Sequence, residues 1–184
     1  MWAQAVRRPS LSAVSKFKVS LVSTGGTIEK TYHPLSGTLS NTMSVLDHML
    51  AQIRTPDLVI ERVQLMNKDS LDMTDGDHQL VATTAHTKAA SAQGVIVVHG
   101  TDRLAISGEV THSRGVPPVP IVFTGAMRPY ELRDTDALQN LVEALLAVRL
   151  VDPGVYVAMH NRLLRFPGVT KDRQAGTFVG GVFG

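Results

Sequence analysis

Gly94–Asp102 reads GVIVVHGTD, and its first half decides the fold. Val95, Ile96, Val97 and Val98 are four consecutive β-branched residues with no polar alternation, the pattern of a strand buried on both faces at the centre of a parallel sheet. The run stops at His99-Gly100-Thr101-Asp102, where a flexible residue is followed at once by a hydroxyl and a carboxylate. Ligands of open α/β sheets bind beyond the carboxyl ends of the strands, so this is the first place to look for chemistry. The alternative is that Thr101 or Asp102 simply caps the next helix.

Working outward, Lys18–Ser23 is a short apolar run that breaks into Thr24-Gly25-Gly26-Thr27. Leu58–Met66 is a second strand ending in Asn67-Lys68-Asp69-Ser70. Pro120–Thr124 is a fourth, ending in Gly125-Ala126-Met127-Arg128-Pro129, and Val155–Met159 is a fifth. Helical spacing falls over Thr42–Ile53 with Asn41 as a plausible cap, and over Thr74 or Asp75 to Ala92, with Leu80, Ala85 and Ala89 turned inward. It recurs from Asp102 to about Ser113 and over Asp136–Leu150, where Leu138, Leu141, Val142, Leu145, Leu146 and Val148 form the clearest amphipathic stripe. Residues 28–40 read as a mobile loop, and the Gly-rich tail from His160 as irregular. Strands alternating with helices predict an α/β fold: a three-layer Rossmann-like or flavodoxin-like domain with a mostly parallel sheet and helices on both faces.

The chain has 184 residues, 43% hydrophobic and 18% charged, with a formal charge of +2 and no cysteine. That suits a single globular domain over 16–184, preceded by a loose extension over 1–15. Disulfides and thiolate metal sites are excluded. No basic run is interleaved with aromatics, so no nucleic-acid footprint appears, and no stretch has the length of a membrane span. Residues 1–15 lack the apolar core of a signal peptide, which predicts a cytoplasmic protein.

Taken together, the strand ends TGGT, NKDS, HGTD, TGAM and HNR would gather Thr24, Thr27, Ser70, Thr101, Asp102 and Thr124 on one sheet edge among small residues that let a ligand approach closely. The phosphate-loop and dinucleotide patterns are absent. The seven histidines lack metal-ligand spacing, so no metal site is expected. Nucleophilic catalysis by a threonine remains, and such a hydroxyl needs help to lose its proton. A lysine held by Asp102 beside Thr101 would supply it; Lys30, Lys68, Lys88 and Lys171 are all candidates on spacing.

STGGTIEKTY (23–32), VVHGTD (97–102) and TGAMRP (124–129), followed by DALQNLVEALLAV (136–148), VYVAMHNR (155–162) and GVTKDRQAGTF (168–178), resemble the bacterial-type L-asparaginases, in the family's order and across nearly everything from Lys18 on. The likeness is to the short, single-domain form. The resemblance implies hydrolysis of L-asparagine to L-aspartate and ammonia without metal or organic cofactor. It makes Thr27 the nucleophile, forming a β-aspartyl ester, and Tyr32 the tyrosine that bonds it. Lys171, selected by VTK, forms a triad with Thr101 and Asp102. It further implies substrate contacts at Ser70, Gly100, Asp102 and the Ala126 carbonyl, and backbone N–H groups at Thr27 and Thr101 facing the oxyanion.

Two departures qualify the resemblance. Long members complete the amino-group site with an acidic residue from a neighbour's C-terminal domain, which this sequence does not contain. Many members also place Gln where Leu71 stands here, which predicts looser binding and low glutaminase activity. Surface that the second domain would otherwise cover predicts a homo-oligomer, a dimer or tetramer. The competing readings are a non-catalytic asparagine- or aspartate-binding sensor, and an amidase acting on another amide.

Overall fold

The computed structural model describes residues 16–41 and 44–182. The expected extension over 1–15 lies outside them, as do Thr42 and Met43 at the start of the first expected helix. The elements are β1 (Phe17–Gly25), β2 (Thr31–His33), β3 (Thr38–Ser40), α1 (Leu46–Ala51), β4 (Leu58–Lys68), α2 (Asp75–Ala89), β5 (Gly94–Val98), α3 (Leu104–Ser113), β6 (Ile121–Thr124), α4 (Ala137–Leu150), β7 (Val155–Met159), β8 (Arg162–Asp172) and β9 (Thr177–Val182).

Seven strands form one sheet in the order β4-β1-β5-β6-β7-β8-β9, and β2 and β3 form a separate hairpin. β4, β1, β5, β6 and β7 run parallel, while β8 and β9 are antiparallel additions. Counting only the parallel strands along the chain gives the order 2-1-3-4-5 of flavodoxin-like sheets, whose ligand crevice lies where the order reverses. Here that point falls between β1 and β5, so it is framed by TGGT and HGTD.

β5 shows why its sequence does not alternate. Val95 and Val97 pack with Val81, Ala85 and Ala89 of α2 and Leu104 of α3. Ile96 and Val98 pack on the opposite face, with Leu46 and Met49 of α1 and Leu141, Ala144 and Val148 of α4. All four β5 residues are fully buried, and each face of the sheet carries its own helical layer.

Several expectations need correction. The tail from His160 is not irregular: it forms β8 and β9. His160 and Asn161 both take positive φ, 53° and 59°, and make the two-residue turn with a left-handed centre that folds β8 back onto β7. HNR is therefore a hairpin turn. Residues 28–40 are likewise structured, as a 3-10 turn over Thr27–Glu29 and the β2–β3 hairpin. α1 begins only at Leu46, and the Asn41 side chain donates to the Gly26 carbonyl (2.8 Å) rather than capping it. α2 starts as expected, with a reciprocal Thr74–Asp77 capping box, but Leu80 is 47% exposed and His78 is buried instead.

Candidate active site

Close backbone approach brings the loops together. A Cβ added at Gly26, whose φ is +80°, would lie 2.4 Å from the Gly100 Cα, so the two loops touch in a way only glycine permits. On the other side of Gly100 a Cβ would meet Ser70 Cβ and Oγ, both at 2.6 Å. Thr27, Thr101 and Ser70 thus converge at the carboxyl edge of β1, β5 and β4. Thr24 Oγ1 donates to the Val98 carbonyl (3.1 Å) and Gly26 N to the Lys68 carbonyl (2.9 Å), fixing the first loop to both neighbouring strands.

Lys171 arrives from β8. That strand shifts register against β9 between Arg165 and Val169, and its second half brings the ammonium 2.9 Å from Thr101 Oγ1 and 3.0 Å from Asp102 Oδ1. Thr101 is buried. Arg173 places a guanidinium nitrogen 3.4 Å from the same Asp102 oxygen, so two cations compete for one carboxylate. Among the four lysines open on spacing, Lys171 alone makes this contact; Lys30 pairs with Asp69 (2.6 Å), Lys68 with Asp77 (2.9 Å) and Lys88 with Glu61 (2.5 Å).

Ser70 is buried and its hydroxyl has no hydrogen-bond partner. An orphaned hydroxyl at the meeting point of two loops is a vacant contact for a polar ligand. Asp69 caps the following turn by accepting from Leu71 N and binds Lys30. Burial raises its pKa, but those two bonds and the nearby charge of Lys171 outweigh that and hold it below the ordinary value.

Thr27 is half-buried at the head of its 3-10 turn, and no hydrogen bond joins its hydroxyl to Tyr32. Tyr32 sits on β2, 56% exposed, with its backbone N–H on Glu131 Oε2. The structure therefore brings Thr101, Asp102 and Lys171 into contact, with no hydrogen bond between Tyr32 and Thr27. Ala126 is fully buried; the preceding Gly125 carbonyl accepts from Asn140 Nδ2 (2.9 Å).

Asp136, which the sequence shows only as the start of a helix, is a site residue that sequence reasoning misses. Its side chain does not cap α4. It accepts from Met127 N, Arg128 N, Asn140 Nδ2 and His160 Nε2, tying the TGAMRP turn to the β7–β8 turn. Burial raises its pKa, and these donors overcome it so that the net shift is downward. The Asp136–Asn140 spacing at i, i+4 was the available signal. A cleft of about 470 Å³ opens beside Lys171, with Arg128, Asp136, His160 and Arg173 in its walls. Among the described residues no three His, Asp or Glu side chains converge as a metal site would require, and no helix is long and apolar enough to cross a membrane.

The asparaginase N-terminal family model matches residues 18–177. The chain belongs to the asparaginase family. Its relatives include an L-asparaginase of Thermococcus kodakarensis, 32% identical over 163 residues, 86% of this chain and 49% of that protein. They also include a glutamyl-tRNA(Gln) amidotransferase subunit of Haloquadratum walsbyi, 36% identical over 148 residues, 77% of this chain and 33% of that one. Among solved structures, the thermostable L-asparaginase from Thermococcus kodakarensis superposes with a TM-score of 0.74 at 28% identity, over 81% of this chain and 46% of that one. A probable cytoplasmic L-asparaginase from Campylobacter jejuni gives 0.73 at 27%, over 89% and 51%. The asparaginase-family chain thus spans a third to a half of the length of these proteins.

Proposed function

We propose that this asparaginase-family chain hydrolyses the side-chain amide of L-asparagine to L-aspartate and ammonia. The observation that carries the reading is the Lys171–Thr101–Asp102 contact, which supplies what a threonine mechanism needs. Thr27 attacks the amide carbon and ammonia leaves from the tetrahedral intermediate. The resulting β-aspartyl ester is then cleaved by water. Lys171, held by Asp102, keeps its side-chain nitrogen on Thr101 so that a proton can pass between hydroxyl and reacting group. Backbone N–H groups at Thr27 and Thr101 stabilise the oxyanion, one such donor being worth about 3–4 kcal/mol. The free Ser70 hydroxyl takes the α-carboxylate, Asp102 the α-ammonium and the Ala126 carbonyl the amide nitrogen. The 28–40 segment closes as a hairpin lid, bringing Tyr32 to Thr27.

Glutamine is expected to be a poor substrate, because Leu71 offers no amide beside Ser70. The amidotransferase relatives favour a second reading, the amide-hydrolysing part of an amidotransferase. Ammonia release measured with asparagine and with glutamine, on wild type and Thr27→Ala, separates the two. Asparagine turnover lost in the variant supports the first reading. Glutamine turnover of equal efficiency supports the second, and release unchanged by the substitution contradicts both. No release with either amide favours the sensor reading, which ligand-induced stabilisation by aspartate would test.

A second copy is the proposed partner of the outer face of α4, where Val142, Leu146 and Leu150 stand exposed at i, i+4 and i+8. Light scattering at micromolar concentration should give a dimer or tetramer, and a monodisperse monomer would contradict this. A cytoplasmic location is part of the same proposal.

A further inference from the structure

A second buried polar chain lies directly behind the HGTD loop and takes no part in the chemistry above. His99 ends β5 and is completely buried. Its Nδ1 lies 2.8 Å from the Gly100 carbonyl and its Nε2 lies 2.8 Å from Ser107 Oγ on α3. Ser107 Oγ is in turn 2.7 Å from Nδ1 of His78 on α2, also buried. The two imidazoles stack at 6.3 Å between centroids, and Phe123 closes the far side of His99 at 6.2 Å.

The donors in this chain can be assigned by elimination. A carbonyl only accepts, so His99 Nδ1 carries the hydrogen. Burial disfavours the charged ring, so the neutral ring presents a lone pair at Nε2, which Ser107 must fill with its single hydroxyl proton. Ser107 Oγ then has only acceptor capacity left for His78, whose Nδ1 donates. His78 Nε2 is left as a bare lone pair, and that buried atom has no partner. The direction of every bond follows from the one carbonyl at the end of the chain.

That carbonyl belongs to the peptide that also contains the Thr101 N–H. In a trans peptide the C=O and N–H point in opposite directions, so a ring that anchors the Gly100 oxygen toward α2 and α3 turns the Thr101 N–H toward the substrate side. We propose that His99, held in its Nδ1–H form by the Gly100 carbonyl and kept in place by Ser107 and His78, is a positioning residue that aims the Thr101 N–H at the developing oxyanion. This rests on the amidase reading above. It predicts a role in transition-state stabilisation, not in substrate binding, because the donor matters most when charge develops on the oxygen.

Two substitutions of His99 separate aiming from mere core filling. Asparagine can place an amide N–H near the position of Nδ1, whereas leucine fills space without a donor. In an ammonia-release assay, His99→Asn should keep kcat within about threefold of wild type, and His99→Leu should lose roughly 10–100-fold in kcat with KM nearly unchanged. Ser107→Ala, which removes a single oxygen, keeps the test open if the leucine variant fails to fold; it should lower kcat in the same direction. Nitrogen-15 NMR of the histidine rings near pH 7 gives a readout independent of turnover. His99 should appear as the Nδ1–H form in wild type and keep that form in Ser107→Ala, where the Gly100 carbonyl still accepts from it, with the Nε2 resonance shifted by loss of the serine donor. Equal losses in Asn and Leu variants, a loss carried by KM, or a wild-type ring protonated at Nε2 would overturn the proposal. A wild type with the Nδ1–H form but no ammonia release would instead refute the amidase reading and leave the loop-locking contact standing.

Discussion

The ammonium of Lys171 lies 2.9 Å from the hydroxyl of Thr101, across 70 residues of sequence. Because Asp102 takes the same ammonium at 3.0 Å, the three side chains act as one unit. Lys171→Met and Thr101→Val should each lower kcat for asparagine by about 10²–10⁴. The double variant should lose little more than either single one, since parts of one proton-transfer unit are not additive. Steady-state kinetics with a thermal melt on each variant checks this, and additive losses would separate the two residues.

Gly26 is where the nucleophile loop touches the second threonine loop. Alanine there would meet Gly100 Cα at 2.4 Å and hold an L side chain at φ +80°. The strain alone costs about 1–3 kcal/mol, and relief must come from parting the loops. Gly26→Ala is therefore expected to lower stability in urea denaturation by at least that range and to abolish turnover even where the chain is folded.

Arg173 shares Asp102 Oδ1 with Lys171. A guanidinium held there opposes the approach of a substrate ammonium to the same carboxylate. Arg173→Ala should lower KM for asparagine several-fold at low salt with kcat little changed, and the difference should shrink as salt screens the exposed charge. An unchanged or raised KM would show that Arg173 helps binding.

Burial lowers the His99 pKa to about 4 from an ordinary 6.5, the Gly100 carbonyl opposing the shift only in part. The folded ring therefore binds its proton less readily than the unfolded one. Between about pH 6.5 and 4 the unfolded chain holds the extra proton, so stability is present above 6.5 and falls as the pH drops through that window. The full effect is roughly 3 kcal/mol. His78, lowered by burial and by Arg103 against the opposite pull of Asp75 and Asp77, adds a slope of the same sign. Glu29, raised by burial, works the other way above its ordinary value. Urea denaturation at a series of pH values should show a shallower slope in His99→Asn than in wild type.

The sequence was most legible where one physical demand dominates. Val95–Val98 can only be a strand covered on both sides, and the structure covers it with α1 and α4 on one face and α2 and α3 on the other. β8 was illegible because Pro167 and Gly168 interrupt its apolar run and its partners are set by a two-residue turn of His160 and Asn161, not by periodicity. α2 misled through Leu80, since its inner face is built of alanines, Val81 and His78, which carry little hydrophobic contrast. In the site, Lys171 could not be told from Lys30, Lys68 or Lys88 by spacing, and only the family resemblance favoured it. Asp136, Ser107 and His78 were invisible, because each acts through a contact made only after the sheet has formed.

The covalent step is tested most directly by acid-quenched intact-mass analysis of the protein mixed with asparagine, followed by peptide mapping. A transient gain of one β-aspartyl unit on Thr27 is expected, absent in Thr27→Ala and longer-lived in Lys171→Met. An adduct on Thr101, or ammonia release that persists undiminished in Thr27→Ala, would contradict the threonine-ester mechanism.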